Sequence, residues 1–172
     1  METSKLEFRM YGLVPYNISP IQQAIQYGHA VVEYMVEYRD QPDLTKWAEE
    51  DKTFIILNGG TTNSFQEKGT NNPVGSLNKH LDTLMLNEVK VARFLEPDLG
   101  NQLTAVVFLA DERVWNKEKY PEFIDSIYYS KTINSEYNIE TLNNLVYKQW
   151  VESIGGEYIL WLRNFLKQFR LA

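Results

Sequence analysis

The sequence predicts an α/β fold, a three-layer α/β/α arrangement around a four-stranded mixed sheet with a helical C-terminal extension. Three observations carry that expectation. Over the first 110 residues, short apolar runs rich in β-branched and aromatic side chains alternate with segments of helical periodicity, the pattern of helices crossing over a sheet. The last two strand-like runs are joined only by the turn PDLGNQL, so that pair is a hairpin and the sheet is mixed. From Asp111 onward the pattern is helical, which divides the chain into an α/β domain at 1–110 and a helical extension at 111–172 packed on it or on a partner chain.

The first strand is EFRMYGLVP, Glu7 to Pro15, closed by its proline. Ser19 then offers a hydroxyl to cap a helix, and Pro20 suits the first helical position because its missing N–H is an orphan there anyway. Apolar positions Ile21, Ala24, Ile25, Gly28, Val32, Met35 and Val36 recur at helical spacing and predict the buried face. Gly28 on that face predicts a backbone packed close against it. Trp47 precedes a buried strand, TFIILN from Thr53 to Asn58. Gly59 to Gly75 is long, polar and loop-like, and a second helix follows from about Ser76 to Val89. Val91 to Glu96 and Thr104 to Ala110 are the last strands. Helices are expected over Pro121 to Lys131 and Asn138 to Ile154, broken by Gly155-Gly156 and resumed to the end with Tyr158, Leu162, Phe165, Leu166 and Phe169 on one face.

Composition narrows the function classes. The balance of 17 Lys+Arg against 23 Asp+Glu gives a formal net charge of -6, the wrong sign for gripping nucleic acid through its phosphates, although a local basic patch is compatible with it. With no cysteine there are no disulfides, thiolate metal sites or cysteine nucleophiles. The N-terminus lacks a signal-peptide pattern and no apolar run reaches spanning length, so a soluble cytoplasmic protein without membrane contact is expected. His80 has Asp82 near it but no second histidine at metal spacing, and phosphate-loop and nucleophile-elbow motifs are absent, so no metal and no cofactor are expected.

Two stretches carry candidate chemistry. On the first helix, Gln22, Gln26, His29 and Glu33 form a polar stripe beside the apolar positions, able to line a cleft with both donors and acceptors; the same spacing also fits a solvated flank. In LEPDLGNQLTAVV, Glu96, Asp98 and Asn101 surround a turn and Thr104 opens the next strand, so carboxylate and hydroxyl can face each other; the same residues also fit plain turn chemistry.

Together these stretches resemble the type 2 peptidyl-tRNA hydrolase family. The correspondence runs through Ala24, Gln26, His29 and Ala30 on the signature helix, Trp47 before the second strand, Asp98 and Gly100 in the turn, and Thr104 on the last strand, and it covers roughly residues 7 to 110. The resemblance implies a four-stranded mixed sheet between helices and hydrolysis of the ester joining peptide to tRNA. It also implies a bacteriophage source, since phage-encoded proteins share the signature and a similar EPDLGNQLTA turn.

The family lysine before the signature helix has no counterpart in Ser19-Pro20-Ile21-Gln22-Gln23, and no lysine lies between Lys5 and Lys46. Losing a cation where an oxyanion develops forfeits a few kcal/mol of transition-state stabilisation. The resulting expectation is a binding or accessory protein that keeps the polar cleft for a nucleotide-like ligand, tRNA or a host protein. The alternative is an ester hydrolase using Asp98, His29, Thr104 and Gln26, with Gln22, Glu33, Glu96 and Asn101 binding the ligand. A third reading is an assembly subunit that forms a homo-oligomer through its C-terminal helices.

Overall fold

The computed structural model describes residues 6–62, 75–124 and 139–172, with side chains left undescribed up to residue 143. It divides into two compact units, one formed by residues 1–111 together with Phe169–Ala172, the other by Glu112–Gln168.

In the first unit, strands β1 (Phe8–Pro15), β2 (Thr53–Gly60), β3 (Ala92–Glu96) and β4 (Gln102–Asp111) form one sheet in the order β2-β1-β4-β3. β1 pairs parallel with β2 and antiparallel with β4, and β3 pairs antiparallel with β4, so the sheet is mixed as the hairpin signal requires. Helices α1 (Pro20–Glu37) and α3 (Ser76–Leu86) lie on opposite faces. Met10 and Val14 of β1 share a cluster with Tyr27, Ala30, Val31 and Tyr34 of α1. Leu13, between them in the strand alternation, points the other way, beside Gly59 and Leu77 of α3.

α1 starts where Ser19 and Pro20 predict. The Ser19 hydroxyl accepts from the Gln22 amide while the Gln22 side chain accepts from the Ser19 amide, a reciprocal cap. Its orientation is the reverse of the expectation. Gln26, Tyr27, Ala30, Val31 and Tyr34 are buried, whereas Ile21, Ile25, Gly28, Val32, Met35 and Val36 face outward. The physical reason lies at Gly12 of the central strand: its bare α-carbon admits the Tyr27 ring, and the Tyr27 hydroxyl donates to the Met10 carbonyl at 2.8 Å. The Tyr34 ring packs at a 46° tilt against Tyr38, whose hydroxyl donates to the Val91 carbonyl at 3.1 Å. Tyrosines that bury their rings and satisfy their hydroxyls win the sheet-facing side over simple aliphatics. Gly28 accordingly meets no backbone from another element: among the described residues beyond its own helix turn, nothing lies within 4 Å of where its β-carbon would stand.

After α1, the short helix α2 (Pro42–Lys46) and a π-helical turn (Trp47–Asp51) drop Leu44 and Trp47 into the same cluster. The Trp47 indole donates to the Thr53 carbonyl at 3.0 Å, and Lys46 bonds Asp51 at 2.7 Å. Asp51 in turn accepts from the Phe8 amide, which fixes where β1 begins. Gly59 and Gly60 continue β2, and the remainder of the expected loop from 63 to 74 lies outside the described residues. Beyond the last helix the chain returns to the sheet: Leu171 bridges antiparallel to Leu57, the Asn58 amide donates to the Arg170 carbonyl at 2.9 Å, and the Ala172 amide donates to the Ile56 carbonyl at 3.0 Å. The helix expected to run to the end therefore stops at Leu166, and Phe169–Ala172 edge β2 instead.

The second unit holds α4 (Ile139–Ser153) and α5 (Glu157–Leu166), separated by Gly155 and Gly156 at φ of 110° and 93°, values glycine adopts without strain. Arg163 of α5 is buried and donates to the carbonyls of Arg113 and Tyr120, both at 2.7 Å. Residues 121–124 are not helical, and the rest of the helix expected up to Lys131 lies outside the described residues. Among the described residues no helix is long and apolar enough to cross a membrane.

Candidate functional site

The site is assembled where α1 crosses the β3–β4 hairpin. Gln26 and His29 stand one helical turn apart, and Phe94 and Glu96 stand two residues apart on one side of β3, so the two pairs face each other. The Gln26 amide nitrogen donates to a Glu96 carboxylate oxygen at 2.5 Å, and the His29 ring stacks on Phe94 with centroids 4.5 Å apart and planes 19° from parallel.

Thr104 reaches the same place because the ladder slips. Phe94 pairs with Ala105 and Leu95 with Leu103, which leaves Thr104 as the extra residue of a β-bulge. Plain alternation would put Thr104 and Ala105 on opposite faces; the bulge turns both toward α1. The Thr104 hydroxyl donates to the Gln26 side-chain oxygen at 2.9 Å and lies 3.3 Å from the Phe94 carbonyl. With Thr104 at 0% and Gln26 at 7% exposure the bond between them is buried, while Glu96 at the outer end is half-buried.

The other carboxylate of the turn is placed differently. A single 3₁₀ turn, Pro97–Leu99, follows β3, and Gly100 and Asn101 take left-handed conformations at φ of 66° and 59°. The second oxygen of Glu96 accepts from the Asp98 backbone amide at 3.3 Å, while the Asp98 side chain is exposed and makes no hydrogen bond among the described residues. The Asn101 amide closes the turn on the Glu96 carbonyl at 3.0 Å. Gln22 is engaged in the helix cap, and Glu33 is exposed on the same flank as His29.

Of the candidates named from sequence, the structure thus joins Gln26, Glu96 and Thr104 directly. No hydrogen bond or ion pair among the described residues joins His29 to Asp98. Phe94 was absent from the sequence reading; its signal is the period of two that sets it on the same side of β3 as Glu96. Among the described residues no group of three or more His, Asp or Glu side chains could hold a metal ion.

A separate cavity of about 350 Å³, lined by none of these residues, opens at the C-terminal ends of the parallel strands β1 and β2 and the first turns of α1. Val14, Ile56 and Leu171 supply apolar walls, with Tyr16, Gln23 and Asn58 between them. Asn58 accepts from the Gly60 amide through its side-chain oxygen and Gln23 donates to the Ile18 carbonyl; among the described residues the Asn58 amino group and the Gln23 carbonyl oxygen have no hydrogen-bond partner. Among the described residues its polar side chains are Tyr16, Gln23 and Asn58, and no Asp, Glu, Lys, Arg or His side chain lines it. Compared with known proteins, the chain matches no protein-family profile and no curated protein.

Proposed function

We propose that the chain is a divergent relative of the type 2 peptidyl-tRNA hydrolases that binds a ligand without hydrolysing it, a phage-encoded accessory protein acting in the host cytoplasm. One observation carries this reading: the groups an esterase needs to hold a carbonyl, the Thr104 hydroxyl and the Gln26 amide, are bonded to each other and to Glu96 inside the fold. An oxyanion requires donors aimed at open space, and here the Thr104 hydroxyl and one N–H of the Gln26 amide are engaged by protein acceptors. The ligand surface is then the separate cavity at Asn58 and Gln23, whose amide chemistry and apolar walls suit a neutral segment of a host protein better than a phosphate-bearing nucleotide or tRNA.

The test pairs turnover with binding. Purified protein is incubated with peptidyl-tRNA, and in parallel the Asn58 side-chain amide is followed by NMR while uncharged peptides are titrated. The expected result is no peptide release, saturable shifts at the Asn58 side-chain amide, and saturable shifts at the Gln23 side-chain amide that are lost in Asn58→Leu. Release of peptide that is lost in Asp98→Asn, with the fold intact, would sink the reading in favour of the hydrolase.

A further inference from the structure

β2 is an edge strand of the sheet, and alternation turns the backbone groups of Phe54, Ile56 and Asn58 away from β1. The chain itself covers part of that edge. The Asn58 amide donates to the Arg170 carbonyl at 2.9 Å, the Ala172 amide donates to the Ile56 carbonyl at 3.0 Å, and Leu171 opposes Leu57 between them. We propose that Phe169–Ala172 holds the place of a partner, and that an extended, uncharged segment of another protein binds by pairing antiparallel with β2 in its stead. This mode of binding rests on the cavity beside the edge being the ligand surface, and it adds the conformation in which the ligand is held.

The seated segment shows what the edge accepts. Both of its hydrogen bonds to β2 are main-chain bonds, which any extended peptide can supply, so pairing sets direction and register while side chains set identity. Past the Ala172 position the same edge continues to Phe54, whose side chain is 53% exposed, so a longer strand finds further backbone groups and an aromatic ring.

The chain's own segment is a weak occupant. One isolated bridge and two hydrogen bonds seat it on β2. Arg170, Leu171 and Ala172 are exposed, Leu171 at 75%, and Phe169 is half-buried with its ring against His80. Pairing sets Ala172 opposite Ile56, and opposed residues of an antiparallel pair share a face. On that face Ile56, Asn58 and Val14 line the cavity of about 350 Å³, into which Ala172 can put only a methyl group. A partner with a leucine-sized side chain at this position buries apolar surface that the chain leaves uncovered, which lets it compete with a segment tethered at an effective concentration on the order of millimolar.

The test uses the full chain and two uncharged peptides, acetylated and amidated. Both keep the segment's order of side chains with glutamine for arginine; one ends in alanine and the other in leucine. Amide NMR shifts and hydrogen exchange are read together. The leucine peptide is expected to saturate, with the Asn58 backbone amide still protected because a peptide carbonyl replaces that of Arg170, and the Ala172 amide freely exchanging. Its dissociation constant should lie about 10-fold or more below that of the alanine peptide. Ala172→Leu puts the same side chain into the cavity from within the chain and should weaken the leucine peptide by about 10-fold or more. Ala172→Pro removes the N–H that bonds Ile56 and should strengthen it. Opposite effects at one position separate competition for the edge from a general loss of stability. Equal affinity for the two peptides, or an Ala172→Leu chain that binds as wild type does, would overturn the proposal. Saturable shifts at the Asn58 side-chain amide with the Ala172 amide still protected would overturn the strand mode and leave the cavity as ligand surface; no binding of either peptide to any of the three chains would overturn both.

Discussion

Gly12 decides which way α1 faces, and the decision can be measured at one residue. A β-carbon added there would stand 2.1 Å from Cε2 of Tyr27 and 3.2 Å from a Val107 methyl, so the ring must leave or the strand must move. Gly12→Ala should therefore destabilise the protein by about 1–3 kcal/mol in urea denaturation, despite alanine's better strand propensity. Tyr27→Leu should recover part of that loss; a Gly12→Ala protein as stable as wild type would remove the close approach as the cause. Thr104 poses the complementary question of a buried hydrogen bond. Thr104→Val keeps the shape but leaves the Gln26 oxygen buried without its donor, an expected cost of about 1–3 kcal/mol. Because the two groups share one bond, Thr104→Val with Gln26→Leu should cost less than the sum of the single changes, and a double-mutant cycle reads the difference directly.

At the scale of elements, the succession of strands and helices along the chain and the hairpin were legible because apolar runs and a turn are local signals, whereas the order β2-β1-β4-β3 within the sheet was not. The cap of α1 was equally legible, since Ser19, Pro20 and Gln22 act within one turn. The face of α1 was not. Aliphatic spacing chose Ile21, Ile25, Val32 and Met35 for the core, but side-chain periodicity cannot see that Gly12 on another element opens a seat for Tyr27. The helix has two apolar sectors, and only the sheet determines which one is covered. The site was half legible for the same reason. Gln26, Glu96 and Thr104 were named from their positions in the helix and hairpin, and they do meet; that they are joined by a bulge, with Thr104 turned toward α1, depends on a one-residue slip in pairing that local sequence does not encode. His29 drew attention as a titratable group, yet its partner is the Phe94 ring, an aromatic contact invisible to a search for carboxylates.

At the scale of the whole molecule, the chain leaves the sheet unit after Asp111 and re-enters it at Phe169, so residues far apart in sequence close the edge of β2. His80 of α3 is part of that closure: its ring meets the Phe169 ring edge-on with centroids 4.8 Å apart. Burial pushes the His80 imidazole below its ordinary value of 6.5. The unfolded chain consequently binds a proton that the folded chain refuses in the interval between the lowered value and 6.5. Stability rises with pH wherever the unfolded state holds more protons, so this contribution is complete above about pH 6.5 and is lost as pH falls from there through the folded value. The melting temperature should drop between pH 7.5 and pH 5, and His80→Gln should flatten the part of that slope belonging to the imidazole, leaving the part that belongs to carboxylates. Because His80 touches Phe169, the loss should begin at the returning strand: intrinsic-rate-corrected hydrogen exchange at the Asn58 and Ala172 amides, which bond Arg170 and Ile56, should accelerate at pH 5 before the amides of central β1 and β4 do. Equal acid slopes in wild type and His80→Gln would show that the imidazole takes no part, and uniform acceleration across the sheet would show that the β2 edge is no weaker than its centre.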